Sequence, residues 1–367
     1  MTCVLCGAGA ETSFGLSNGA NFAMGVLGIE ETEMNKALDK YYENLSDNWA
    51  GKRYKKNPFS INDLFGASIR KQYISGESKI ISIKNMDEYI ESQKKKLTKE
   101  EKIHMINEHT SYMGIIDEHF HTIINPIVLG PEKFWRVVDC YNRAYLLLVS
   151  QILNMNNPLC DDYLRILENP VDILAEIKKT ISEQQRFYED SYYARIEKHP
   201  NVKVVTTNYT PICDAIITRS EIIHIHGELG LFEVPYEWRV FDAKEIMRYI
   251  NKQVFFPYIF IQSGIKPIVE KRQIRVYNKL LDAFEAKKIV VLGYRINCDD
   301  NHINGLLRSA YMNGSEIVYM DFVGGASKTI TINEVSQKLR ISSPSSKLRI
   351  VHMDNTDCLD KFENELQ

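Results

Sequence analysis

Residues 203–210 read KVVTTNYT. The β-branched start reads as a buried strand, yet it finishes in two threonines, an asparagine and a tyrosine rather than in turn residues. In open α/β sheets, ligands bind just beyond the carboxyl ends of the strands. A polar finish to an apolar strand fits such an edge, and Asn208 offers both a donor and an acceptor there. The plainer reading is that Asn208 caps a helix beginning near Pro211. Taken alone, the motif favours that plainer reading.

Similar short apolar runs recur around it. CVLC lies at 3–6, EIIHI at 221–225, KKIVVLGY at 287–294, SEIVYMDF at 315–322 and KLRIVHM at 347–353. Helical spacing separates some of them, notably at 269–286 and 301–312. Strands alternating with helices predict an α/β fold, a Rossmann-like parallel sheet of about six strands covered on both faces. The stretch 30–199 differs. It is rich in Lys, Glu, Tyr and Asn, and Phe134, Val137, Val138, Tyr141, Tyr145 and Leu148 recur three or four apart, as on one helix face. It reads as a large helical insertion between two parts, 1–29 and 200–367, of one sheet domain. The stretch 232–268 breaks the alternation and reads as a smaller insertion.

Composition sets the class. The chain has 367 residues, 44% hydrophobic and 25% charged, with a net charge of -3. It is large enough to bury a core without disulfides, and this balance gives no general nucleic-acid footprint. Its seven cysteines are scattered, which suggests free thiols in a reducing compartment. Cys3 and Cys6 form the one CxxC, within an apolar strand and with no second pair to complete a zinc site. No apolar run approaches the roughly 18 residues of a membrane span, and the glycines begin at residue 7, too early for a signal peptide. A cytoplasmic protein is expected.

Four further groups of residues could carry chemistry. Gly7, Gly9 and Gly15 follow the first strand; glycine lets backbone approach a pyrophosphate, but GAGAETSFG is not G-x-G-x-x-G, and a tight turn explains it about as well. His224 and His226 alternate in EIIHIHG, so an extended strand would turn them to the same side. His224 reads as a hydrogen-bonded core histidine, whereas His226, at the strand end before Gly227, could serve as a base near neutral pH. In IVVLGYRINCDDNHIN, Gly293 could approach a ligand. Asp299, Asp300 and His302 could be metal ligands or caps of the next helix, and with no convincing third and fourth ligand no metal is expected. Asp321 ends its strand as a candidate for ribose hydroxyls, or as a plain solvent-facing carboxylate. His104, His109, His119 and His121 lie in the helical block with Glu108 and Glu118 nearby and read as surface residues.

Taken in order, Gly7-Ala8-Gly9, Thr207-Asn208, His226-Gly227 and Gly293-Tyr294 resemble the motifs of the sirtuin superfamily. In detail, TTNY, HIHG and GY…DDxHIN look most like its bacterial NAD-hydrolase branch, found in antiphage defence. The resemblance covers roughly 2–28 and 200–325, and the helical block matches no known module. It implies NAD as substrate, released as nicotinamide and ADP-ribose. By the same resemblance Asn208 orients the ribose hydroxyls and water, and His226 is the general base. Gly7, Ala8, Gly9, Glu11, Ser17, Asn18, Gly19 and Thr207, with Gly293, Tyr294 and Asp321 on the adenosine side, bind the dinucleotide.

Three departures from the family pattern stand out. The four-cysteine zinc module of deacylating sirtuins is missing, which opposes protein deacylation. Thr210 stands where the family usually has Asp, with Asp214 one helical turn later as a possible substitute. Glu11 stands where Ser is common, and its charge beside a pyrophosphate would need to point away or meet a cation such as Arg295. The resemblance also implies a homo-oligomer, with a HerA-type ATPase or a phage-derived trigger as partner. Rival readings are an NAD or ADP-ribose sensor without turnover, a protein-modifying transferase, and a nuclease subunit using Asp299, Asp300 and His302.

Overall fold

Strand β1 (Thr2–Cys6) is buried along its whole length, because it lies at the centre of a sheet with core on both faces. Its side chains alternate between two apolar clusters: Val4 and Cys6 enter one, Cys3 and Leu5 the other. Five more strands join it, β2 (Val202–Thr206), β3 (Ile222–His224), β7 (Lys288–Leu292), β8 (Glu316–Phe322) and β9 (Leu348–Met353). The order is β3-β2-β1-β7-β8-β9, and every pairing is parallel. The computed structural model describes residues 1–16, 22, 32–44, 131–155, 162–233, 240–250, 255–259, 271–296, 300–323 and 329–367.

This is the six-stranded, Rossmann-like α/β sheet that the alternating pattern predicts. Its strand order reverses between β1 and β7, and the loops leaving two adjacent strands in opposite directions open a crevice there. Helices Lys271–Phe284 and Asn301–Met312 form where the helical spacing predicts them. Leu280, Ala283, Ile303 and Leu307 from these helices build the cluster on one face. On the other face lie Ile173, Ile177 and Tyr193 from the helices Pro170–Ser182 and Tyr192–Glu197, with Phe362 of the C-terminal helix.

A second, antiparallel sheet begins at Gly227. Strands β4 (Gly227–Glu233), β5 (Val240–Asp242) and β6 (Phe256–Ile259) pair in the order β5-β4-β6. Helix Pro131–Leu153 packs on it, with Tyr141 5.2 Å from Phe256 and Tyr145 5.5 Å from Phe232, ring centroid to ring centroid. Tyr141, Tyr145 and Leu148, part of the predicted helix face, are buried. Gly227 joins the two sheets. Its φ is +86°, and a Cβ there would lie 2.1 Å from the Tyr258 carbonyl oxygen, so the glycine after His226 is fixed by backbone packing whatever else it does.

Two local expectations change. Strand β3 stops at His224, so the two histidines do not share one side. His224 turns toward Cys213 and Asp214, and His226 toward His302 on the opposite face. The CxxC, in turn, straddles the sheet: three residues apart in a strand, Cys3 and Cys6 point to opposite faces and cannot share one ion. Burial pushes the Cys3 thiol up to about 12 and the Cys6 thiol higher, so both behave as small apolar groups. None of the described helices is long and apolar enough to cross a membrane.

Candidate functional site

The polar end of β2 resolves into backbone bookkeeping and one reaching side chain. Thr206 Oγ1 accepts the Asn208 N–H at 3.0 Å, and the Thr207 N–H crosses to the Cys6 carbonyl at 3.0 Å. Asn208 does not cap the next helix. That helix, Ile212–Ile216, has Pro211 at its N-cap and no side-chain capping bond. Instead Asn208 Nδ2 donates to the Gly7 carbonyl at 3.2 Å and to Tyr193 Oη at 3.1 Å.

Tyr193 in turn donates to Glu11 Oε1 at 2.8 Å, and Thr210 Oγ1 reaches both oxygens of the same carboxylate at 2.8 and 2.7 Å. The two positions that depart from the sirtuin pattern therefore touch each other. A carboxylate at 11 meets a hydroxyl at 210, where the pattern has a hydroxyl and then a carboxylate. Glu11 is 3% exposed and turned inward. Burial pushes its pKa up to about 7, against the opposing pull of hydrogen bonds from Thr210, Tyr193 and Asn208. The charge that would repel a pyrophosphate is thus held inside a hydrogen-bonded group, without Arg295 as its partner.

The loops after β1 and β7 touch backbone to backbone. Gly7 N–H donates to the Leu292 carbonyl and Gly9 N–H to the Gly293 carbonyl, each at 2.9 Å. Gly293 has φ +62°, and a Cβ on it would lie 2.1 Å from the Ala10 nitrogen. This junction leads into a cavity of about 860 Å³ across the carboxyl ends of β7, β8 and β9, with Gly9, Gly293, Tyr294, Arg295 and Asp321 among its walls. Four residues expected to hold the dinucleotide, Gly9, Gly293, Tyr294 and Asp321, thus meet at one opening. Asp321 is no plain surface carboxylate: its Oδ2 accepts from the Ile330 N–H at 3.2 Å and lies 2.9 Å from His352 Nδ1. Tyr294 is buried, and its hydroxyl donates to Asn304 Oδ1 at 3.0 Å.

The histidines diverge in chemistry as in direction. His224 Nδ1 lies 3.0 Å from the Asn208 carbonyl and Nε2 lies 2.9 Å from Asp214 Oδ2. Burial lowers its pKa, but the bond and charge of Asp214, with Glu228 and the Asn208 carbonyl, outweigh this and hold it above the ordinary value. Asp214, the possible substitute for a carboxylate at 210, is occupied by this ring. His226 is 5% exposed. Its Nε2 lies 3.1 Å from His302 Nε2 and 3.5 Å from Asp300 Oδ1. Asp300 sits at the N-cap of Asn301–Met312 without making a capping bond.

Asn208 and His226, expected to act together, thus belong to two hydrogen-bonded groups on opposite faces of one sheet edge. Ser17, Asn18, Gly19, Asp299 and the four histidines of the helical block lie outside the described residues. Tyr193 is the member that sequence reasoning missed. It sits in SYYARIEK, a short helix with no motif to mark it.

No protein-family model matches the chain, and no curated protein is similar to it. Among solved structures it is similar to Sir2 proteins. One, in complex with an inhibitor, 2′-O-acetyl-ADP-ribose and a deacetylated peptide, is 11% identical at a TM-score of 0.31, over 55% of this chain and 80% of that one. Another, described for the mechanism and regulation of Sir2 enzymes, is 13% identical at a TM-score of 0.32 over the same shares. At such scores the functional reading rests on the residues of this chain alone.

Proposed function

We propose that the protein binds NAD along the carboxyl edge of its parallel sheet and hydrolyses it to nicotinamide and ADP-ribose. The observation that carries this reading is the cavity beside the β1–β7 crevice. It lies where an open sheet of this order takes a nucleotide, its size suits one, and residues singled out from sequence line it. In this reading Gly9 and Gly293 bring backbone to the pyrophosphate, Arg295 faces its charge, and Asp321 takes ribose hydroxyls. His226 draws the proton from the attacking water, a contribution on the order of 10²–10⁴-fold. Water adds to C1′ as the nicotinamide bond breaks, and nicotinamide leaves neutral.

An NAD hydrolase left unchecked would exhaust the NAD of its host. The proposal therefore includes gating by assembly or by a partner, in the antiphage setting that the motif resemblance implies, with an ATPase as one such partner. The test is nicotinamide release from NAD by the purified chain, with His226→Ala and Asn208→Ala beside it. Release that both substitutions abolish supports hydrolysis at this edge; release untouched by either sinks the assignment. A second reading, an NAD or ADP-ribose sensor, draws support from Asn208, whose Nδ2 already serves two protein acceptors. Calorimetric binding of both ligands without release would favour it.

A further inference from the structure

His226, Asp300 and His302 come from two places: the turn after β3, and the N-cap and first turn of the helix Asn301–Met312. Their ligand atoms nevertheless converge, all lying within 4.8 Å of one another. A tetrahedral Zn²⁺ with bonds of about 2.0–2.2 Å places its ligand atoms roughly 3.3–3.6 Å apart. The separations here are 3.1 Å between the two Nε2 atoms and 3.5 Å from His226 Nε2 to Asp300 Oδ1. The contact between the two Nε2 atoms needs a proton on one of them; a cation set between both nitrogens and the Asp300 carboxylate would take that proton's place and accept a lone pair from each. The Asp300 carboxylate, at the helix N-cap but without a capping bond, faces His226 and also lies beside the Tyr294 hydroxyl. The Tyr277 ring lies 5.9 Å from that of His302 and helps to wall in the imidazole.

We propose that His226, Asp300 and His302 form a binding site for a divalent first-row transition ion of the Zn²⁺ class, with three protein ligands and a fourth position for water. Two imidazoles and one carboxylate favour such an ion over Mg²⁺ or Ca²⁺, which prefer all-oxygen shells. A second group, Cys213, Asp214 and His224, also clusters. There both ring nitrogens already face protein oxygens, which a doubly protonated imidazole satisfies without an ion. If His226 is also the hydrolytic base, metal and proton compete for the same nitrogen. The site itself stands independently of that reading.

The experiment uses the full chain stripped by a chelator, then titrated with Co²⁺ and read by visible absorption, with Zn²⁺ content measured after gel filtration. One equivalent per chain with the spectrum of a tetrahedral N/O site is expected. His302→Gln and Asp300→Asn should each weaken binding at least about tenfold, by the scale of changes around metal sites, while circular dichroism stays unchanged. Cys213→Ser should leave binding intact. No cobalt spectrum in the wild-type chain would overturn the proposal. So would a thiolate charge-transfer band that Cys213→Ser removes, or binding indifferent to both His302→Gln and Asp300→Asn. Because the readout is the metal, failure of NAD turnover leaves this result unaffected.

Discussion

Two groups of polar side chains flank the same sheet edge and differ in the chemistry they bring together. Around Glu11, donors and acceptors match: two hydroxyls point to one carboxylate, and the Asn208 amide fills the Gly7 carbonyl and the Tyr193 oxygen. Around His226, two ring nitrogens and a carboxylate oxygen converge on one point. A buried network whose members satisfy one another holds the backbone in place. Two imidazoles and a carboxylate brought together are suited to share a proton, an ion or a substrate. The first group fixes the loops after β1 and β2, and the second offers chemistry.

The sharpest way to break this contrast is to exchange activity for stability. His226→Gln keeps most of the ring's volume and should lower nicotinamide release by about 10²–10⁴-fold. Asn208→Ala should lower it too, but with a loss of about 1–3 kcal/mol in stability, because a buried tyrosine oxygen and a carbonyl lose their donor. Denaturant midpoints beside initial rates separate the two effects. A His226→Gln chain that turns over normally but unfolds early would reverse the roles assigned to the two groups.

Next comes the backbone junction on which both groups depend. Gly293→Ala forces a Cβ to 2.1 Å from the Ala10 nitrogen at φ +62°, and a loss of about 3 kcal/mol or more is expected. Gly305 is the control: it lies inside the helix Asn301–Met312 with open space where its Cβ would be. Gly305→Ala should raise stability by up to about 1 kcal/mol. Equal effects from the two substitutions would mean that the loops after β1 and β7 are not held in contact.

The parallel sheet was legible because its buried strands, β1 to β3 and β7 to β9, write themselves as apolar runs. In the antiparallel sheet, β4 is GELGLFE and carries no such run, and β5 and β6 lie within the stretch that reads only as an insertion. EIIHI looked like five strand residues, yet β3 pairs through only three; the alternation of its histidines failed once the chain turned at Ile225. The glycines were legible as special positions but not in purpose. Gly227 and Gly293 are required by approaching backbone, and a local pattern cannot show which backbone approaches. Tyr193 and Glu11 lie 182 positions apart in the chain, so no local spacing could join them. His226 needed His302 and Asp300 from across 76 residues before its nitrogen had partners.

Glu11→Gln tests whether the closed group titrates. The folded carboxyl has a pKa of about 7 against 4.5 for its ordinary value. Raised above the unfolded value, it contributes stability that is fully present below pH 4.5 and lost as pH rises through about 7. The scale of that loss is roughly 3 kcal/mol at most. The Gln variant lacks the titration, so the stability difference between the two chains should shift steadily across this window and level off above it. A constant difference would show that Glu11 keeps its ordinary pKa and that the group is open to solvent.

The smallest effect should come from Tyr193→Phe, which removes one oxygen and keeps the ring. That oxygen donates to Glu11 and accepts from Asn208, which retains Gly7 as an acceptor while Glu11 retains Thr210. With a second partner remaining on each side, a loss of about 1–2 kcal/mol is expected. Its signature is in the pH profile rather than in the size. The Tyr193 bond lowers the Glu11 pKa, so without it the carboxyl should hold its proton to higher pH. The pH at which wild-type stability falls should therefore move upward in Tyr193→Phe and vanish in the double variant with Glu11→Gln. If the fall stays where it is, Tyr193 and Glu11 are not partners in solution, and the closed character of this group rests on Thr210 alone.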